Sequence, residues 1–251
     1  NQRLIYMNNS FQNCPFIGLS HRGNSKEFIE NSLEAFKSVA KKGYKYIETD
    51  LRLTLDGHVV TFHDEDLKRL FDLDVKIKNL TLKEVNILFN KHKCELLTFE
   101  ETLNYFPEIY FNIDLKIKEV VMKTINIVEK TKSFNRVCFA SFKSLHTKMV
   151  LDKHPEAITS MGLTDVALFK FLKINKKNSN ILQIPIKWNG IKILTKKLIS
   201  DAKKRNLLIH VWTINNPNEM EELIDMGIDG IVTDEPDILM NVIKNRNLLE
   251  S

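Results

Sequence analysis

Along the chain, short apolar runs of strand length alternate with stretches whose apolar residues recur at helical spacing. The strand-like runs fall at residues 16–20, 46–51, 110–115, 136–141, 158–161, 181–185, 208–213 and 229–233. Between them lie "SLEAFKSVAKK", "TFEETLNYF", "VVMKTINIVEK", "SLHTKMVLDK", "DVALFKFLK", "TKKLISDAKKR" and "NPNEMEELIDM", and "PDILMNVIKN" follows the last. A parallel strand pair needs a connection of helix length. Eight strands, each followed by a helix, therefore predict an α/β chain closed into a (β/α)8 TIM barrel. Residues 1–251 read as one such domain, a usual size for this architecture.

Two pieces stand outside the alternation, "HVVTFH" and residues 64–97. Asp56-Gly57 between "LRLTL" and "HVVTFH" is a two-residue hairpin signal, because a type I′ turn needs positive φ at both central positions. The second strand should then fold back antiparallel at the barrel mouth. With that turn Leu55 faces His58, His63 stands opposite Asp50, and Glu48 shares their face; a bulged three-residue turn shifts the register by one. Residues 64–97 predict a small insertion at the mouth, in a position to cover a site there. Its "TLKEVNILF" has a capping box from Thr81 to Glu84 and apolar Leu82, Val85, Leu88 and Phe89 at helical spacing. Packing on the barrel rim is the favoured reading of that helix over contact with a membrane surface.

Glu48 and Asp50 sit inside the most strand-like pattern of the chain, where an unpaired buried carboxylate costs several kcal/mol. In a TIM barrel the functional groups gather at the carboxyl ends of the strands. Each polar cluster falls at such an end: "SHRG" at residues 20–23, Glu48 and Asp50, "DLK" at residues 114–116, and "VWT" at residues 211–213. Three carboxylates, Glu48, Asp50 and Asp114, without cysteine make a hard oxygen site that suits Mg2+ or Ca2+. Asn31 and Ser32 read as caps of "SLEAF". Trp212 serves barrel packing or a wall at the barrel mouth. Asp64 reads as an orienting partner for a histidine or as a loop cap. His92, His146, His154 and His210 lack such company and read as structural.

Composition narrows the function classes. With 43% hydrophobic and 27% charged residues the chain is of ordinary globular type. The net charge of +5 comes from scattered lysines not interleaved with aromatics, which argues against nucleic acid and suits steering of an anionic small molecule. The densest run, "KFLKINKKNSN", reads as a solvated helix end and loop, and no acyl-binding tract is evident at the mouth. No apolar run reaches the roughly 18 residues of a membrane span, and "NQRLIYMNNSFQNCPF" lacks a signal-peptide layout. The chain opens on Asn, as it would had an upstream segment been removed. Cys14, Cys94 and Cys138 are odd in number and far apart, as expected of reduced thiols in the cytoplasm.

The same residues resemble the glycerophosphodiester phosphodiesterase family. "HRGNSKEFIENSLEAF" is similar to its opening motif, "YIETDLRLTLDGHVVTFHD" to its metal and histidine motif, "FNIDLK" to its third strand, and "VWTINN" with "GIDGIVTDEPD" to its closing strands. The similarity runs from His21 to Pro236, and the combination in this order is specific where no single piece is. The resemblance implies a TIM barrel that hydrolyses glycerophosphodiesters with a divalent cation, releasing sn-glycerol 3-phosphate and an alcohol. It makes His21 and His63 the acid–base pair, Glu48, Asp50 and Asp114 the metal ligands, and Arg22 and Lys116 phosphate contacts, with Asn31 as a further phosphate contact beside its capping reading and Trp212 as a wall for glycerol or a headgroup beside its packing reading. Two departures stand out: Ile29 where a proline commonly precedes the "EN" pair, and Asp114 where many relatives have Glu. His21 is expected as the base and His63, beside Asp50, as the acid. Two alternatives are a lysophospholipase D-like enzyme and a non-catalytic binding barrel.

Overall fold

The computed structural model describes Phe11, residues 14–175 and residues 179–249. Residues 1–10, which carry most of the amino-terminal stretch considered above, and Lys176, Lys177 and Asn178 of the lysine-rich run lie outside the described residues.

All eight expected barrel strands form: β1 (Ile17–His21), β2 (Tyr46–Leu53), β3 (Tyr110–Leu115), β4 (Val137–Ala140), β5 (Ile158–Thr159), β6 (Ile181–Ile184), β7 (Leu208–Val211) and β8 (Gly230–Thr233). Every neighbouring pair is parallel, in the order β5-β4-β3-β2-β1-β8-β7-β6. The two ends meet at one bridge between Ser160 and Ile181, so the barrel is nearly closed. The longer helices are α1 (Leu33–Lys41), α2 (Leu82–Lys91), α3 (Phe99–Tyr105), α4 (Lys118–Lys130), α5 (Ser144–Lys153), α6 (Leu163–Leu172), α7 (Lys196–Lys203), α8 (Pro217–Asp225) and α9 (Pro236–Asn245), and one further turn of helix spans Lys68–Phe71.

The apolar face of each strand packs on these helices. Phe36, Ile47, Phe111, Ile113 and Val121 belong to one core, and Leu182, Leu198, Ile209, Ile231 and Leu239 to another. Each such buried side chain contributes on the order of 1.5–3 kcal/mol. A third cluster includes Leu19, Tyr46, Ile158, Ile181 and Val232, with Phe11 edge-on to Tyr46 at 5.3 Å.

β2 runs past the barrel and pairs antiparallel with a return strand, Val59–Thr61. Its register is Leu51 with Thr61, Arg52 with Val60 and Leu53 with Val59, one residue away from the two-residue-turn expectation. Local chemistry makes the loop three residues long. The Thr54 hydroxyl donates to Asp56 and accepts from the His58 N–H, while Gly57 takes φ +79 and donates to the Thr54 carbonyl. Phe62 rather than His63 therefore opposes Asp50, its N–H donating to the Asp50 carbonyl at 2.8 Å.

Phe62 and Val60 carry a core of their own with Leu67, Ile77, Val85, Phe89, Cys94 and Leu96, on which the insertion folds. α2 has the expected capping box, Thr81 with Glu84. Within the insertion Asp66–Leu67 pairs antiparallel with Leu73–Lys76, and a further, unexpected hairpin pairs Lys187–Trp188 with Ile191–Lys192 around Asn189 and Gly190, both at positive φ.

Candidate active site

The site begins where β1 ends. His21 closes the strand, and Arg22 (φ +58) and Gly23 (φ +76) turn the chain back on itself. The turn is tight because a Cβ on Gly23 would stand 2.7 Å from the Ala35 carbonyl carbon in α1. Asn31, also at positive φ, returns its N–H to the Arg22 carbonyl at 2.9 Å, and Ser32 caps α1 by accepting from the Ala35 N–H.

Each expected histidine is held by a carboxylate. His21 Nδ1 lies 2.6 Å from Asp234 Oδ1 at the end of β8, and His63 Nδ1 lies 2.6 Å from Asp64 Oδ1. An ionised carboxylate only accepts, so Nδ1 carries the proton in both rings and Nε2 is the exchanging atom. His21 Nε2 is 3.7 Å from Glu48 Oε2. Burial lowers the affinity of His21 for its second proton, but the Asp234 hydrogen bond and the Glu48 charge raise it more, so the net shift is upward. For His63 burial is again the largest influence; Lys116 and Arg22 reinforce it against Asp50 and Asp64, and the net shift is downward.

The three carboxylates come together at the strand ends. Asp50 and Asp114 are register partners on β2 and β3, and Glu48 is the partner of His21 on β1. The Lys116 ammonium bridges Asp50 (2.7 Å) and Asp114 (2.6 Å), while Arg22 Nε and Asn31 Nδ2 each approach Asp50 Oδ2 at 3.1 Å. Burial works against ionisation of Asp50, yet Lys116 and Arg22 outweigh it and hold this carboxyl well below its usual range. Burial and the Asp50 charge push Glu48 up. Its buried Oε2 makes no hydrogen bond.

Behind these groups runs a chain of ion pairs that the sequence did not announce. Glu30 accepts from Arg22 Nη1 at 2.9 Å and from both terminal nitrogens of Arg69 at 2.6 and 2.8 Å. Arg69 Nε then donates to Asp64 Oδ2 at 2.7 Å, so the residue that holds His63 is tied to the loop that follows His21. Asp234 sits at a strand end within "VTDEPD" and Glu30 within "EN", signals that could have found them. Arg69 has none, since its partner Glu30 is 39 residues away.

The two histidines, the three carboxylates, Arg22 and Lys116 line one cavity of about 460 Å³. Its inner half is formed by His21, Arg22, Glu48, Asp50, His63, Asp114 and Lys116. Its outer half is apolar, from Met161, Leu163, Val166 and Phe171, and ends in an aromatic trio: Phe142, Trp188 and Trp212, with centroids 5.5–6.0 Å apart. Trp212 is thus a cavity wall, and the mouth does carry an apolar tract. Asn31 stands behind Asp50 and does not line the cavity, nor does any residue of 64–97, so the insertion flanks the site without covering it. The remaining histidines stand apart. His146 Nδ1 lies 2.9 Å from the Leu115 carbonyl, His154 pairs with Glu129, and burial pushes the wholly enclosed His210 down to about 3.

The sequence profile described as the Glycerophosphoryl diester phosphodiesterase family matches residues 21–238. The chain belongs to this family. It is 30% identical to the probable glycerophosphodiester phosphodiesterase 2 of Mycobacterium tuberculosis over 90% of both chains. Among solved structures it resembles the glycerophosphodiester phosphodiesterase of Thermotoga maritima, with a TM-score of 0.77, 29% identity and coverage of 90% of this chain and 98% of that one. A phosphodiesterase of Oleispira antarctica, solved with its product sn-glycerol-3-phosphate, shares the fold at a TM-score of 0.80 and 20% identity, covering 91% of this chain and 96% of that one. The barrel is the family's TIM barrel, and the chain is an enzyme of the phosphoric diester hydrolase class. No helix among the described residues is long and apolar enough to cross a membrane.

Proposed function

We propose that this enzyme hydrolyses small glycerophosphodiesters, such as glycerophosphocholine or glycerophosphoethanolamine, to sn-glycerol 3-phosphate and an alcohol. One divalent cation, Mg2+ or Ca2+, would be held by Glu48, Asp50 and Asp114, and His21 and His63 would move the protons. The observation that carries this reading is the pair of carboxylate-held imidazoles lining one cavity with three buried carboxylates.

The donor set fits a hard cation, and so does the buried Glu48 Oε2 without a hydrogen-bond partner. Among the described residues no three His, Cys, Asp or Glu side chains are grouped as a ready-made metal cage, and the positive charge between Asp50 and Asp114 is that of Lys116. A bound cation would supply charge neutralisation at the phosphate oxygens. Arg22 and Lys116 add donors to the same oxygens, where charge builds in the transition state.

An alkoxide leaving group needs a proton, and the attacking water or substrate hydroxyl must lose one. The directions of shift support His21, raised toward its imidazolium form, as the acid, and His63, lowered toward neutral, as the base. That reverses the expectation from sequence, which weighed Asp50 beside His63 but could not see Asp234 on His21 or Lys116 and Arg22 near His63.

The apolar outer half of the cavity favours a second reading, a lysophospholipase D-like enzyme whose acyl chain lies along Met161, Val166 and Phe171. One substrate panel decides. Glycerophosphocholine, glycerophosphoethanolamine and lysophosphatidylcholine are supplied to chelated enzyme with and without Mg2+ or Ca2+, and glycerol 3-phosphate and choline are measured. Cation-dependent release of glycerol 3-phosphate from the first two is expected. Full activity after exhaustive chelation removes the metal assignment, and turnover of lysophosphatidylcholine alone replaces the substrate.

A further inference from the structure

The outer rim of the cavity has more exposed apolar surface than the substrate wall needs. α6 buries Val166 and Phe169 but leaves Leu163, Phe171 and Leu172 outside, the last two 71% and 61% exposed. Beside them the unexpected hairpin presents Ile191, 58% exposed, and Trp188. The two pieces are tied together, since the Lys170 ammonium on α6 donates to the carbonyls of Lys192 and Ile193. Phe171, Leu163 and Trp188 line the cavity as well, so this apolar surface is its mouth.

Of the charged side chains on α6 and the hairpin, Lys170, Lys187 and Lys192 are basic, and the one acidic residue, Asp165, is buried. Along the sequence from the start of α6 to the end of α7, residues 163–203, nine lysines stand against two acidic residues, Asp165 and Asp201, a net +7 that leaves 5 − 7 = −2 for the rest of the chain. Two of the nine, Lys176 and Lys177, lie outside the described residues. Lys173 is paired with Asp201, whereas Lys187 and Lys192 stand exposed on the hairpin with no ion pair among the described residues. Exposed Phe, Leu, Ile and Trp flanked by lysine is the composition of a segment that rests in the interface of a lipid bilayer, with rings and aliphatic chains at the headgroup boundary and ammonium groups on anionic phosphates. Two copies of this face brought together would oppose like charges, which argues against a symmetric dimer through it.

We propose that the rim formed by α6 and the Lys187–Lys192 hairpin docks this enzyme on an anionic lipid bilayer, with the cavity mouth turned to the membrane surface. This goes beyond the hydrolytic reading and is tested by binding alone.

The probe is a set of sedimentable vesicles, one of phosphatidylcholine and one with about a third phosphatidylglycerol, mixed with the full chain at low and high salt. Binding to the anionic vesicles, little binding to the neutral ones, and release by salt are expected. Leu172→Ser with Ile191→Ser, and separately Lys187→Ala with Lys192→Ala, should each lower partitioning about tenfold or more. Neither pair lines the cavity, so hydrolysis of soluble glycerophosphocholine should be unchanged, which reports an intact fold. Equal binding to both vesicle types, no binding, or wild-type partitioning by both double variants overturns the proposal. So does sedimentation equilibrium showing self-association that the same variants abolish without any vesicle binding, since a second copy would then be the occupant.

Discussion

His21 and His63 are anchored alike through Nδ1, but their surroundings push them in opposite directions, and that asymmetry can be measured. Loss of either should cost about 10²–10⁴-fold on a natural diester. A p-nitrophenyl diester needs no leaving-group proton, so His21→Ala should recover most of its deficit on that substrate and His63→Ala should not. The ratio of variant to wild-type rate constants on the two substrates checks this, and recovery by His63→Ala alone would restore the sequence-based roles. Arg69 poses a different question, because it touches neither the cavity nor a histidine. Its guanidinium spans Asp64 and Glu30, and through them His63 and Arg22. Arg69→Ala should lower kcat on the order of 10–100-fold, as loss of an outer orienting partner commonly does, with a smaller change in KM. Arg69→Lys should restore little, since one ammonium cannot reproduce a planar fork with three carboxylate contacts. Equal losses in KM and stability with kcat intact would make Arg69 a structural clamp only.

At the scale of elements, the junction of β1 and α1 is the least forgiving piece of the site. Gly23 needs both its positive φ and its missing side chain, because an added Cβ would strike the Ala35 backbone rather than a movable side-chain end. Gly23→Ala should therefore cost more than about 1 kcal/mol of stability, read as a lower urea midpoint, and should displace Arg22 enough to depress activity as well. Such an element is legible from sequence in outline: "HRG" at a strand end announces a functional turn, and the eight strands follow from apolar runs bounded by helical periodicity. Registers are harder. The expected opposition of His63 and Asp50 depends on one residue of loop length, and that length is decided by the Thr54–Asp56 hydrogen bond, a side-chain contact that no hydrophobic pattern encodes. Asn31 shows the same limit. As a residue before "SLEAF" it looks like a cap, but its left-handed backbone turns its amide onto Asp50 and its oxygen onto the Thr49 hydroxyl, leaving the cap to Ser32. The apolar mouth escaped notice for a third reason. Helical spacing in "DVALFKFLK" identifies a helix but cannot say which of its apolar residues find a partner, and Phe171 and Leu172 do not enter the core.

The barrel as a whole is not equally strong around its circumference. β2 and β3 share six register pairs, from Tyr46 with Tyr110 to Leu51 with Leu115, and both flank the carboxylate cluster. On the far side β5 is two residues long, and its junction with β6 rests on one bridge, Ser160 with Ile181, reinforced by the Met161 N–H to the Ile181 carbonyl and the Asn180 N–H to the Thr159 carbonyl. Local opening follows the number of interactions that must break together, so this seam is where the closed sheet should part at least cost. The consequence falls on the cavity, because Met161 and Leu163 lead directly out of β5 into the apolar wall while His21, Asp50 and Asp114 belong to the strong side. The polar chemistry is thus mounted on the rigid half of the barrel and the apolar wall on the half able to yield to ligands of different bulk. Native-state hydrogen exchange tests this directly. The Met161 and Asn180 amides should exchange on the order of a hundredfold faster than those of Thr49 and Ile113, and their protection should rise when a glycerophosphodiester product occupies the cavity. Uniform protection of all four amides would show that the barrel opens only as a unit, and the division into a rigid and a yielding half would fall with it.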